Sequence, residues 1–417
     1  MGPKVKTPAL RTSLRTCAFA LALATLLPGP SARAETSAGP QLPTFQTKHY
    51  NVHTDVGAEL ADDLGLQLDA MHDEYTRRLG AFGTASVGRR DVWVFTRKID
   101  YVKFIDDRLP NTGGVFIPSK NCLAAYLEGQ GRDALRRTLR HEAFHQFAHE
   151  VIGPNLPVWL NEGVAQIFEE GIYTGNRFLI EQVPPRRLRQ LAEDMRHGRL
   201  TPFDDFVFMD HKTWALNMRD RDKGATQYNQ AWAMVHFLVY ARDGRTGEPI
   251  YRQRFFDMLT AIRNGTPADQ AFTDQFTTNF GGFQRRFTEY ARGLEPTREA
   301  TFMENAEVLS DMMVEIFGAE KRTFRSVVDL RKHLERGKYQ LKYTKGSLRW
   351  TTNPNIGLYF KDADGRDLPT SEVGLVANPG APLSDLVMRP LGSLEYRARF
   401  YIAPDGKPDR EILVTPR

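Results

Sequence analysis

Two short segments, His141-Glu142-Ala143-Phe144-His145 and Trp159-Leu160-Asn161-Glu162-Gly163, constrain this chain more than any other part of it. On an α-helix each residue advances about 100° and ~1.5 Å, so His145 falls roughly 40° around from His141 and about 6 Å further along the axis. Both imidazoles can then reach one metal ion. Glu142 lies on the same broad face, beside the ion without being spent as a ligand, as a water-activating base requires. A catalytic zinc takes three protein ligands and leaves the fourth position to water, so one more donor is needed. Glu162 is the candidate. Sixteen residues separate it from His145, enough to finish one helix, turn through Gly153-Pro154-Asn155-Leu156-Pro157 and start a second helix that packs back. The expected metal set is therefore His141, His145 and Glu162 around one Zn2+, with Glu142 as general base.

Rival ligand sets fail on geometry. His149 would stand ~12 Å along the helix from His141, too far to share an ion. The alternative zinc motif, with a glycine three residues and a histidine six residues after the second histidine, meets Ala148 and Val151 instead.

The run Trp-Leu-Asn-Glu-Gly-x-Ala placed after HExxH resembles the gluzincin metallopeptidases, and most of all the bacterial secreted proteins with a peptidase-MA-like domain, over about residues 45 to 292. The resemblance implies an α+β, thermolysin-like catalytic domain: a small mixed sheet with active-site helices, then a helical subdomain. It implies a zinc peptidase that cleaves peptide amides, with Glu162 as third ligand and Asn161 orienting a metal-bound histidine. It further implies an oxyanion donor, Tyr or His, about sixty to seventy residues past that ligand. Tyr228, sixty-six residues beyond Glu162, is the expected donor, and His236 is held in reserve. The chain departs from the aminopeptidase branch in having no Gly-x-Met-Glu-Asn motif upstream. Where some relatives carry Asp four residues after the ligand, Gln166 stands here.

Residues 1–34 read as a secretory leader: Lys4, Lys6, Arg11 and Arg15, an apolar run from Cys17 to Leu27, then Ala32-Arg33-Ala34 as a cleavage site. The expected location is secreted or periplasmic. No later run approaches the ~18 apolar residues of a membrane span. Five of the 56 basic residues lie in the leader, which leaves 51 against 51 acidic ones, so the basic character of the whole chain gives no support to nucleic-acid binding. Cys122 remains as a lone cysteine, expected to be a small buried strand residue without a disulfide.

The length of the remainder suggests a catalytic domain over 35–295 and a helix-plus-β module over 296–417. Periodicity gives a strand at Lys48–His53, an amphipathic helix at Ala58–Leu79, a strand at Asp91–Thr96 and a short helix near Tyr101–Asp107. Extended runs follow at Gly114–Ile117 and Cys122–Leu127, then the metal helix from near Asp133. By the same resemblance, the stretch Gly114–Leu127 is expected to offer a sheet edge to an extended peptide. A helical stretch is expected over Arg298–Arg336, then alternating strands. The basic cluster Pro184–Leu191 reads as a solvated helix face, and Asp364-Gly365 and Asp405-Gly406 as hairpin turns. The expected substrate is a peptide or protein, cell-envelope peptides included. The rival reading is a non-catalytic exported binding or scaffold protein with a closed structural metal site. Oligomeric state and side-chain preference are not legible.

Overall fold

The computed structural model describes residues 40–83, 88–106, 112–337, 339–345, 348–362, 364–390 and 392–417. The expected leader and its cleavage site lie outside them. The fold is α+β. Strand β1 (Thr44–Gln46) turns back into β2 (Tyr50–Thr54), α1 (Ala58–Leu79) crosses to β3 (Arg90–Phe95), and α2 (Lys98–Phe104) leads to β4 (Gly114–Ile117) and β5 (Cys122–Tyr126). These strands form a mixed sheet in the order β1-β2-β3-β5-β4, parallel among β2, β3 and β5 and antiparallel at both ends. Parallel neighbours need a long crossover, which α1 supplies between β2 and β3.

Alternation along the strands assigns the two faces. Val52, Val92, Val94, Leu123 and Ala125 join the main core with Leu60, Leu64 and Leu68 of α1 and Leu135 and Leu139 of α3 (Arg132–Val151). Phe95, Ala124 and Tyr126 pack on the other face with Tyr101 of α2. Cys122 is buried in β5, and burial pushes its thiol up to about 11, which makes it a poor nucleophile. Of the expected edge Gly114–Leu127, only β4 lies at the rim of the sheet, because β5 is enclosed between β3 and β4.

Helix α3 ends at Val151, where Gly153 turns at φ 109° and donates its N–H to Ala148 O. The chain re-enters helix as α4 (Val158–Glu169), passes a short hairpin of β6 (Ile172–Tyr173) and β7 (Phe178–Leu179), and continues as α5 (Pro185–Arg196), α6 (Phe203–Val207), α7 (His211–Asn217) and α8 (Arg221–Tyr240). Helices α9 (Arg252–Arg263), α10 (Ala268–Gln275) and α11 (Phe280–Arg292) complete this layer. Trp159 of α4, Trp232 of α8 and Phe283 of α11 are fully buried in the shared core.

The basic cluster at α5 is not the solvated face its sequence suggests. Arg187 is buried, with Nε donating to Glu170 at 2.6 Å and Nη1 to Gln166 at 2.7 Å, and Arg186 also pairs with Glu170. A guanidinium with several fixed acceptors can be buried where a lone charge cannot.

Beyond residue 296 the buried apolar side chains form a second cluster, which Ile172 joins. The expected single helical stretch divides into α12 (Arg298–Glu320) and α13 (Val327–Gly337), because Lys321 leaves the helix in the left-handed region at φ 54°. Strands β8 (Lys342–Lys345) and β9 (Leu348–Thr351) pair, and β10 (Val373–Val376), β11 (Asp385–Met388), β12 (Leu394–Ile402) and β13 (Pro408–Pro416) form an antiparallel sheet. Asp405-Gly406 makes the turn joining β12 to β13, and Asp362 Oδ1 accepts from Asp364 N and Arg366 N in a second turn. This sheet docks on the start of α3: Asp133 accepts from Ile412 N at 3.1 Å, and Arg136 pairs with Glu411 and Asp63. Among the described residues no helix is long and apolar enough to cross a membrane.

Candidate metal centre

Helix α3 presents His141, Glu142 and His145, and α4 brings Glu162 against them; all four are 5% exposed or less. His141 Nε2 lies 3.2 Å and His145 Nε2 3.7 Å from the same oxygen of Glu162, Oε2. One ligand atom from each of these three residues lies within 4.8 Å of the others, as one ion would require.

The outer nitrogens of both rings are fixed. His145 Nδ1 lies 3.1 Å from Asn161 Oδ1, where the resemblance places the orienting asparagine. With that proton donated, Nε2 keeps its lone pair, and it has no hydrogen-bond partner although it is buried. His141 Nδ1 lies 3.1 Å from Glu169 Oε2. Sequence reasoning missed Glu169. Its signal was available: seven residues after Glu162 is two helical turns, so both carboxylates share one face of α4. Gln166 has a different task, donating to Tyr228 O at 2.9 Å and accepting from Arg187.

Three of the buried groups, His141, His145 and Glu142, are shifted in different ways. Burial alone would lower the pKa of His141, but hydrogen bonds to Glu162 and Glu169 hold it up at about 10. Burial lowers that of His145 to about 4 and keeps it in the neutral, ligating form. Burial raises Glu142 to about 7, helped by the Glu162 charge and opposed by His141. Glu142 Oε2 accepts the Phe116 N–H of β4 at 2.9 Å, while Oε1 is buried without a partner. A carboxyl that titrates near neutrality with one free oxygen suits proton exchange. Three carboxylates buried around two imidazoles, together with an unpartnered Nε2, fit a divalent cation.

Packing sets the approach of α4. A Cβ on Gly163 would meet Ala231 O of α8 at 2.5 Å, so only glycine lets the two helices come this close. Trp159 anchors the same helix by donating to Val207 O at 3.1 Å.

Of the two expected oxyanion donors, Tyr228 is beside the centre. Its hydroxyl is buried without a hydrogen-bond partner, and burial together with the Glu162 charge holds its pKa well above 10, so it stays a proton donor. Its ring meets Trp214 edge to face at 5.5 Å. His236 is elsewhere: its Nδ1 lies 2.7 Å from Tyr290 Oη, and burial alone lowers it to about 4. It is a core histidine. His211, at the start of α7, is a further residue that sequence reasoning missed. Burial lowers its pKa against the pull of Glu162, and its Nδ1 is buried without a partner. No periodic pattern links it to the motifs, since it reaches the centre only through the α6–α7 fold. Phe116, Asn161, His211 and Tyr228 are each partly exposed, unlike the buried set.

A family model described as "Protein of unknown function (DUF1570)" matches residues 136–246, the stretch that runs from α3 through α8 and holds every candidate residue of the centre. No curated protein matches the chain.

Proposed function

We propose that this protein is a zinc-dependent peptidase of the gluzincin type, exported by its leader. The observation that carries the reading is the division of labour at the centre. His141, His145 and Glu162 converge on one point, while the buried carboxylate of Glu142 beside them is turned to a backbone N–H. A structural zinc is closed by four protein ligands, whereas three donors converge here among the described residues. That favours a catalytic over a scaffold site.

Bound by these three side chains, a zinc ion would lower the pKa of a water and polarise a substrate carbonyl. Glu142 Oε1, free of partners, would take the proton from that water and return it to the leaving amine, while the Phe116 N–H keeps Oε2 in place. The Tyr228 hydroxyl would donate to the carbonyl oxygen as negative charge develops there. Strand β4, at the sheet edge and bonded to the base, would align an extended peptide by its main chain. Cell-envelope peptides fall within this chemistry.

The test is metal content and cleavage of a mixed peptide library by the mature protein and by Glu142→Gln. One zinc at this centre with cleavage lost only in the variant supports the reading. Zinc without cleavage in either protein favours the scaffold, and full activity in the variant ends the proposal. Detection of Glu35 as the first residue of the exported chain would establish cleavage of the leader.

A further inference from the structure

A second group of metal donors lies where the turn between β1 and β2 meets α1. Asp69 of α1 ties that turn down, accepting from Thr47 Oγ1 at 2.9 Å and from the backbone N–H groups of Lys48 and His49 at 2.8 Å each. His49 is thereby held over the face of α1 that carries His72 and Asp73. Its ring stacks on His72 with centroids 4.0 Å apart and 26° between planes, and its Nε2 lies 2.8 Å from Asp73 Oδ1. His72 is 95% buried by its 5% exposure, yet neither ring nitrogen has a hydrogen-bond partner. Phe147 and Tyr50 meet its ring edge-on at 5.5 and 6.2 Å, while the His49 ring covers one of its faces. One donor atom from each of His49, His72 and Asp73 lies within 4.8 Å of the others.

We propose that His49, His72 and Asp73 form a second divalent-metal site, of the zinc class, distinct from the centre on α3 and α4. Buried polar atoms are normally satisfied, and an imidazole with both nitrogens unpaired beside two other donors is what an ion would complete. Two imidazoles and a carboxylate suit zinc, with solvent filling the remaining position through the half-exposed Asp73. The opposing groups are few. Lys48 Nζ holds Asp73 at 2.8 Å but its side chain is 63% exposed and free to swing away, and Arg90 is paired with Glu150.

The experiment uses the whole mature protein, stripped with a chelator and titrated with Zn2+, with bound metal counted after desalting. Wild type should hold two equivalents, and His49→Ala or Asp73→Asn, both at the partly exposed rim, should hold one. A His141→Ala/His145→Ala double variant should also keep one, and zinc should raise its melting temperature only while His49 is present. The proposal falls if His49→Ala binds as much zinc as wild type, or if the double variant binds none. Failure of the peptidase centre would read differently: the double variant would then match wild type while His49→Ala alone lost an equivalent.

Discussion

His141 Nδ1 stands 3.1 Å from the carboxylate of Glu169, two turns beyond Glu162 on α4, so one helix supplies both a candidate ligand and the group that orients another. An acceptor on the outer nitrogen fixes the ring and raises its basicity towards an ion.

Glu169→Gln is therefore expected to weaken zinc binding by about 10–100-fold while leaving the fold intact. Competition with a chelator of known affinity measures it. Unchanged affinity would show that His141 needs no orienting carboxylate.

Glu142→Gln should lower kcat by roughly 10²–10⁴-fold and leave the zinc content unchanged, because Glu142 contacts Phe116 N and not the point where the ligands converge. Loss of metal in this variant would make Glu142 a ligand instead.

Tyr228→Phe removes a hydroxyl that has no partner in the fold, so stability should hold while kcat drops by about 10²–10³-fold with little change in KM. A change in KM alone would assign the hydroxyl to ground-state binding.

Arg187→Ala strips partners from Glu170, Gln166 and Asn229 at once and opens the support beneath Tyr228. Glu170 keeps its pairing with Arg186, so the lost charge-assisted bonds should destabilise the fold by about 1.5–3 kcal/mol, read from urea unfolding. A cost near zero would return α5 to the solvated face its sequence suggested.

His236 gives the acid-stability test. Its folded pKa, about 4, lies below the ordinary 6.5, so the unfolded chain takes up a proton first. Its contribution is present above pH 6.5 and is lost as pH falls towards 4, by up to about 3 kcal/mol. His236→Phe should lessen the loss of melting temperature across that window and leave kcat unchanged. An activity loss in that variant would restore it as a candidate donor.

What the sequence determined by itself is whatever repeats along a single element. The apolar period placed α1 at Ala58–Leu79, where the structure has it, and the strands and metal helix within a few residues. The i,i+4 spacing put His141 and His145 on one face of α3, and the spacing from His145 to Glu162 left room for the turn that brings α4 back. Only the tertiary structure decided what meets across elements. Glu169 is a ring-orienting group because α4 lies against α3 at the distance Gly163 permits, and His211 is near Glu162 because α6 and α7 fold over it. Arg187 is buried because its acceptors come from α4 and α8, and β5 is no edge because β4 covers it. His49 and His72 stack through a turn that Asp69 holds. Periodicity is a property of one backbone, whereas a charge's burial, a ring's partner and a strand's edge depend on which other backbone packs beside it.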